Sequence, residues 1–371
     1  MSLTTRRTIL KGLAGAGAAT AVSGFPFVNR LALGQQSLKL GVVVPMTGPM
    51  ALEAQEMLAA TQIAVEDVNA DGGVMGRKVE TVIRDSEFKP EVAKRKATEL
   101  IEVEKAAFLV GAIVGFEGIA MAEVGCKNDV IVSFFGQNFL TIKGKMCKYQ
   151  FGNNLSPYQT AAAAAHFVAQ QKMGKKWHML ANNYSWPQMF ERAYSLVAKQ
   201  VQEFGLVKQS QVIHSITELT FAEAAGKGVY ENFYAGMPWY WSLKDQYPAA
   251  KRYYDRHYAL RKRAPSGYTA STYSTVRVLL DTAREVKSLE TEKVTRALEG
   301  RKFQYLKGPE QIRACDHVNI QDVYLCKGKS AAGMKDAWDY FEVVQAVGGE
   351  ATAESCEGEG FDPKKPLSQQ I

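Results

Sequence analysis

Short apolar runs alternate with longer amphipathic stretches along most of this chain, and that alternation leaves few folds open. Residues 38–44 form a Val-rich run ended by Pro45, the pattern of a strand buried on both faces. A loop over 45–49 leads to a helix with Met57, Ala60, Ala64, Val65 and Val68 on one face. That helix stops at 69–73, where Asn and Gly tolerate positive φ and turn the chain toward Val79. Strands over 79–84, 107–110 and 130–135 follow, separated by a helix opened by Pro90 and another over 115–124. Strand and helix in this rhythm predict βαβ units and a parallel sheet covered on both faces.

The rhythm restarts after Pro157. A helix is expected over 158–173, a strand over 177–181, a long helix with Met189, Leu196 and Val201 inward, and a strand over 207–216. The restart predicts a second α/β lobe joined near 153–157. Helices over 273–286 and 294–298 and a hairpin pairing 323–325 with 340–344 complete the pattern. The tail, 348–371, is rich in Glu, Gly, Pro and Lys and reads as loose.

The first 34 residues stand apart. Thr5-Arg6-Arg7-Thr8-Ile9-Leu10-Lys11 is a twin-arginine pattern, followed by a Gly/Ala-rich apolar run and a small-x-small cut at Ala32-Leu33-Gly34. Residues 1–34 therefore read as an export signal, and the run is too short to span a bilayer. Its removal lowers the net charge from +7 to +3, leaving 41 basic against 38 acidic residues. That near-neutral balance offers no footprint for nucleic acid, and Arg261-Lys262-Arg263 reads as a solvated helix end. No lipid-anchor cysteine follows the signal, since the first cysteine is Cys126. In an oxidising compartment Cys126 and Cys147 are placed to clip the 130–135 strand, while Cys315, Cys326 and Cys356 supply one bond and one odd thiol.

Four segments resemble the branched-chain-amino-acid-type solute-binding proteins of ABC importers. They are 41–48 (Gly-Val-Val-Val-Pro-Met-Thr-Gly), 68–77 (Val-Asn-Ala-Asp-Gly-Gly-Val-Met-Gly-Arg), 266–273 (Ser-Gly-Tyr-Thr-Ala-Ser-Thr-Tyr) and 308–317 (Gly-Pro-Glu-Gln-Ile-Arg-Ala-Cys-Asp-His). The resemblance implies a two-lobed type I periplasmic binding fold, each lobe a mainly parallel sheet flanked by helices. It divides the chain into a first lobe, 37–155 and 266–306, and a second, 156–265 and 307–347. It implies capture of a small amino acid, or a related organic acid or amide, for a membrane ABC permease, without cofactor or metal. The chain departs from the family where Ser215-Ile216 runs almost directly into Thr217, so an internal deletion and an incomplete second lobe are expected.

In open α/β sheets ligands sit beyond the carboxyl ends of the strands, where helix N-termini offer N–H groups to an anion. The loops so placed carry Thr47, Gly115-Phe116 and Gly136-Gln137 in the first lobe, and Tyr184, Trp186 and Glu218 in the second. By resemblance Gly115-Phe116 and Gly136-Gln137 hold the ligand's α-carboxylate, Trp186 lines the second lobe and Glu218 pairs with the α-ammonium. Each has a structural rival. The glycines are turn residues, Trp186 before Pro187 starts a helix, and Glu218 favours a helix N-terminus. The aromatic stretch 230–241 lines a pocket or packs a strand core.

Nothing points to catalysis. No Gly-x-Gly-x-x-Gly follows the first strand, His-Glu-x-x-His and Gly-x-Ser-x-Gly are missing, and the five histidines are scattered. Asp316-His317 reads as structural. A ligand sensor for a membrane receptor, an exported α/β enzyme and a non-binding remnant stand as alternatives.

Overall fold

A computed structural model of the protein describes residues 36–136, 146–171, 211–214 and 217–371. The export signal therefore lies outside the described residues, as do the 177–181 strand, the helix after it and most of the 207–216 strand.

The first sheet is built from β1 (Leu38–Val44), β2 (Val79–Asp85), β3 (Phe108–Gly111), β4 (Val132–Phe134) and β5 (Gln150–Gly152), in the order β2-β1-β3-β4-β5. Every neighbouring pair is parallel, with Leu38 beside Val79, Leu40 beside Phe108, Leu109 beside Val132 and Val132 beside Gln150. Helices α1 (Ala51–Ala70), α2 (Pro90–Glu102) and α3 (Gly115–Lys127) make the crossovers. The α1 stripe Met57, Ala60, Ala64, Val65 and Val68 is buried against the sheet, as its spacing predicts. Asn69 ends that helix with a specific device. Its side chain accepts from Val79 N at 2.7 Å and donates to Val79 O at 2.9 Å, tying the turn to the second strand.

After β5 the chain passes through α4 (Pro157–Gln170), whose Ser156 and Gln159 form a reciprocal capping box. The second sheet contains β6 (Ile213–His214) and, after α5 (Leu219–Ala225), β7 (Tyr234–Met237). Then α6 (Pro248–Arg261), α7 (Gly267–Glu285) and α8 (Thr291–Leu298) follow, with α7 lying along α1. Short strands β8 (Lys302–Phe303), β9 (Glu310–Ile312) and β10 (Asn319–Ile320) form a small antiparallel sheet. The hairpin β11 (Val323–Gly328) and β12 (Phe341–Val347) completes the second sheet, in the order β12-β11-β7-β6. Among the described residues β6 and β7 pair in parallel there while β11 pairs antiparallel with both β7 and β12, so the described part of this sheet is mixed; the expected 177–181 strand and most of the 207–216 strand lie outside the described residues. The hairpin is the cause of the mixing, because it joins β7 antiparallel through β11. The aromatic stretch 230–241 resolves as core: Tyr230, Phe233, Trp239 and Tyr240 are all buried.

The tail departs from expectation. Cys356 bonds to Cys315, Phe361 and Leu367 are buried, Leu367 N donates to Ala314 O, and Ser368 caps the Glu299 carboxylate through both oxygens. Composition predicted looseness because polar residues dominate; two apolar anchors and a covalent link outweigh them. Asp316-His317 is structural, since His317 stacks on Phe151 at 4.0 Å and sits between Gln150 O and Glu299. Cys126 bonds to Cys147 and Cys326 is the buried free thiol. The two bridges close loops of 21 and 41 residues, which chain-entropy arguments value at about 3 and about 4 kcal/mol. The double change Cys315→Ser and Cys356→Ser should therefore cost about 4 kcal/mol in urea unfolding and expose the tail to protease. A tail as resistant as the parent's would contradict this.

Candidate functional site

Strand order 2-1-3-4-5 creates a crevice where the chain's crossovers diverge, between the carboxyl ends of β1 and β3. The loop after β1 carries Thr47, which is exposed, and its hydroxyl donates to Asp85 Oδ2 at 2.9 Å. Met46 N donates to Asp85 Oδ1 at 2.9 Å and Glu87 N to the same oxygen at 2.8 Å. Burial alone would raise the Asp85 carboxyl, but these donors outweigh it and hold the group below its usual range. Asp85 thus fixes the loop that bears Thr47.

Across the crevice, Gly115 opens α3 and Phe116 is half-buried, edge-on to Phe88 at 5.2 Å. The first N–H groups of a helix have no partner within it, so this turn faces the crevice with donors. Gly136, at the end of the β4 strand, has its N–H committed to Ala112 O at 3.0 Å. A Cβ there would lie 1.9 Å from Ile113 O, so Gly136 is a close-approach residue that lets two strand-end loops touch. Gln137, Tyr184 and Trp186 lie outside the described residues.

Glu218 precedes α5 and is only 1% exposed. Its Oε2 accepts from Gly267 N at 2.9 Å, in the first turn of α7, while Oε1 has no hydrogen-bond partner. Burial pushes the carboxyl up to about 8, and the nearby Glu53 charge on α1 works the same way. The packing is tight enough that a Cβ on Gly267 would meet Trp239 O at 2.7 Å and Glu218 Oε1 at 3.0 Å.

Two features escaped the sequence. Glu117 stands in the first turn of α3, fully buried, and accepts from the Ser86 hydroxyl at the end of β2. An acid there reads as a solvated residue favoured by the helix dipole, and nothing in the sequence signals that it turns inward. Lys307, between β8 and β9, is 2% exposed. Its ammonium donates to Pro238 O and Gln321 Oε1 and pairs with Glu310 at 3.4 Å. Asn153, Asn319 and Gln321 complete the network: Asn319 donates to Glu310 at 2.9 Å and Gln321 to Asn153 O at 3.0 Å. Among the described residues the one His/Cys/Asp/Glu group at metal-ligand distances is Cys315, Asp316 and Cys356, and its two sulfurs are bonded to each other. No helix among them is long and apolar enough to cross a membrane.

Comparison with known proteins agrees with this architecture. A periplasmic binding protein from Burkholderia mallei superposes with a TM-score of 0.76 at 22% identity, over 87% of this chain and 97% of its own. A solute-binding protein of an ABC transporter from Rhodopseudomonas palustris BisB5 superposes with a TM-score of 0.72 at 16% identity, over 84% and 98%. Among curated proteins, a Leu/Ile/Val-binding protein homolog 7 from Brucella abortus (strain 2308) is 34% identical over 87 residues, 24% of this chain and 22% of that protein. The chain thus matches well under a third of that relative's length. Residues 37–200 and 193–333 match the family described as periplasmic binding protein. The fold is the type I periplasmic binding fold, and the chain belongs to the periplasmic binding protein family.

Proposed function

We propose that this chain is the solute-binding component of an ABC importer, working in the periplasm after export by the twin-arginine route. It captures a small amino acid, or a related organic acid or amide, between a first lobe (37–155 and 266–306) and a second (156–265 and 307–347), and presents the closed form to a membrane permease. The observation that carries this reading is the crevice at the β1–β3 divergence, with Thr47 fixed by Asp85 on one side and the donor-bearing first turn of α3 on the other. Gly115, Phe116, Gly136 and Gln137 form the first-lobe half of the site in this proposal. Tyr184, Trp186 and Glu218 form the second, with the unpartnered Glu218 Oε1 as the acceptor for a ligand donor. A shortened second lobe belongs to the same proposal; the short run of residues 215–218 between β6 and α5 is compatible with it.

The ligand class has support from two directions. The Brucella relative is named for Leu, Ile and Val, and the Rhodopseudomonas protein is in complex with 3,4-dihydroxybenzoic acid. A thermal-shift screen over branched-chain amino acids, amides, urea and aromatic acids tests the proposal. A true ligand at a hundredfold excess over its Kd adds about 2.7 kcal/mol and raises the Tm by several degrees. Glu218→Ala and Trp186→Ala should each shrink that rise. A cooperative melt indifferent to all four classes would defeat the transport reading.

A further inference from the structure

The β3–α3 turn is built to receive an anion, and the chain fills it with its own. The N–H groups of Ile113 and Val114 face the Glu117 carboxyl, the Ser86 hydroxyl donates to its Oε1, and the whole sits at the positive end of a 13-residue helix. Glu117 is fully buried and its Oε2 has no hydrogen-bond partner. A second carboxylate, Asp85 on β2, stands close enough to act on it electrostatically. A ligand carboxylate entering this turn would therefore meet two negative groups, and would find the Ile113 and Val114 donors, though not those of Gly115 and Phe116, already facing Glu117. A ligand N–H brought into the turn would instead meet Glu117 Oε2, a buried acceptor with no hydrogen-bond partner.

Resting on the transport reading above, we infer that Glu117 is a specificity-determining residue: it occupies the anion nest from within, so the first-lobe loops take a ligand through a hydrogen-bond-donating head, such as a primary amide, rather than through a carboxylate. Burial pushes the Glu117 carboxyl up to about 7, against the Ser86 and backbone donors that favour ionisation. At pH 8 the group is mostly ionised and its rejection of anions is strongest.

Two measurements at pH 8 test this. The first uses acetate as probe, with chloride at equal ionic strength as control. Glu117→Ala vacates the nest, so acetate should raise the Tm of that variant and leave the parent protein unmoved. Glu117→Gln keeps the shape and the Ser86 contact, serves as the folded control, and should not respond to acetate either. Equal response of parent and Glu117→Ala, or response of neither, overturns the inference. The second compares leucine with leucinamide and benzoate with benzamide by calorimetry. The parent should bind the amide of whichever pair it accepts at least tenfold more tightly than the acid, and Glu117→Ser should reduce that ratio tenfold or more. Tighter binding of the acid by the parent overturns the inference while leaving the transport reading intact. Acetate rescue without any ligand in the wider screen keeps the filled nest and removes the transport reading.

Discussion

Lys307→Met should cost about 3–5 kcal/mol of folding stability, the scale on which breaking one partner out of a buried pair is felt. The side chain is 2% exposed and its charge is met by Glu310, Gln321 and the Pro238 carbonyl. Burial pulls the ammonium below its usual range while the Glu310 charge works against that pull; burial in turn raises the Glu310 carboxyl. Methionine fills a similar volume but leaves Glu310 with only the Asn319 and Asn153 amides, at 2.9 and 3.4 Å. The uncompensated carboxyl, not lost packing, is what destabilises. The double change Lys307→Met with Glu310→Gln should therefore recover much of the loss, since a neutral amide carries no buried charge. Urea unfolding of the parent, the two single variants and the double variant closes the cycle. A single-variant loss below 1 kcal/mol, or a double variant no better than the single, would show that the pair is solvated. The same network joins Asn153, at the chain's passage out of the first sheet, to Asn319 and Gln321, on the way into β11. Breaking it should loosen the passages as a unit, which hydrogen exchange at 153–156 and 319–323 would register together.

How legible this arrangement is in the sequence depends on whether a residue's role is set by neighbours in the chain or by distant ones. β1, α1 and the 69–73 stop are local patterns, and they fall at or near the expected positions because Val-rich runs and Gly pairs act within a few residues. One disulfide follows from spacing and compartment, since Cys126 and Cys147 bracket β4; which two of Cys315, Cys326 and Cys356 pair is set by the fold, which brings Cys356 to Cys315 and buries Cys326 alone. The parallel α/β sheet is legible for the same reason, since βαβ rhythm is local, whereas the type I fold enters only through the resemblance carried by the four segments 41–48, 68–77, 266–273 and 308–317. The chemistry of the crevice is not. Glu117 is buried because Ser86, 31 residues earlier, comes beside it when β2 and β3 flank β1. Arg261 and Arg263, read as a solvated helix end, turn partly inward because Glu56 on α1 and Glu223 on α5 wait for them. α6 has no clear signature in the sequence, because its aromatics Tyr253, Tyr254 and Tyr258 blur a helical stripe that only the packing against α1 defines. The 348–371 tail looks loose by composition yet packs, because two buried side chains in a polar segment have little weight in composition and much in packing.

Glu218→Gln should stabilise the protein at high pH and leave it nearly unchanged at low pH. A carboxyl raised from 4.5 to about 8 binds a proton more tightly when folded than when unfolded. Its contribution to stability is fully present below about pH 4.5 and is lost as the pH rises through about 8. Across that window the linkage amounts to about 4–5 kcal/mol. The groups acting on it are Glu53 on α1, which disfavours its charge, and Lys307, whose ammonium lies within electrostatic reach. Glutamine keeps an oxygen for the Gly267 N–H and carries no ionisable proton, so the end of α7 stays capped while the pH-dependent loss disappears. Urea unfolding at pH 5 and pH 9 should show the two proteins close together at the first and the variant ahead by several kcal/mol at the second. Glu117, raised to about 7, adds its own slope in the same direction over pH 4.5–7, so the single variant flattens the profile without levelling it. Parallel pH profiles for parent and Glu218→Gln would mean that Glu218 ionises at its ordinary value and that its burial against Gly267 is relieved in solution. That outcome would also remove the buried, protonated Glu218 from the second half of the proposed site, because an exposed Glu218 carries a full charge at any pH a periplasm reaches.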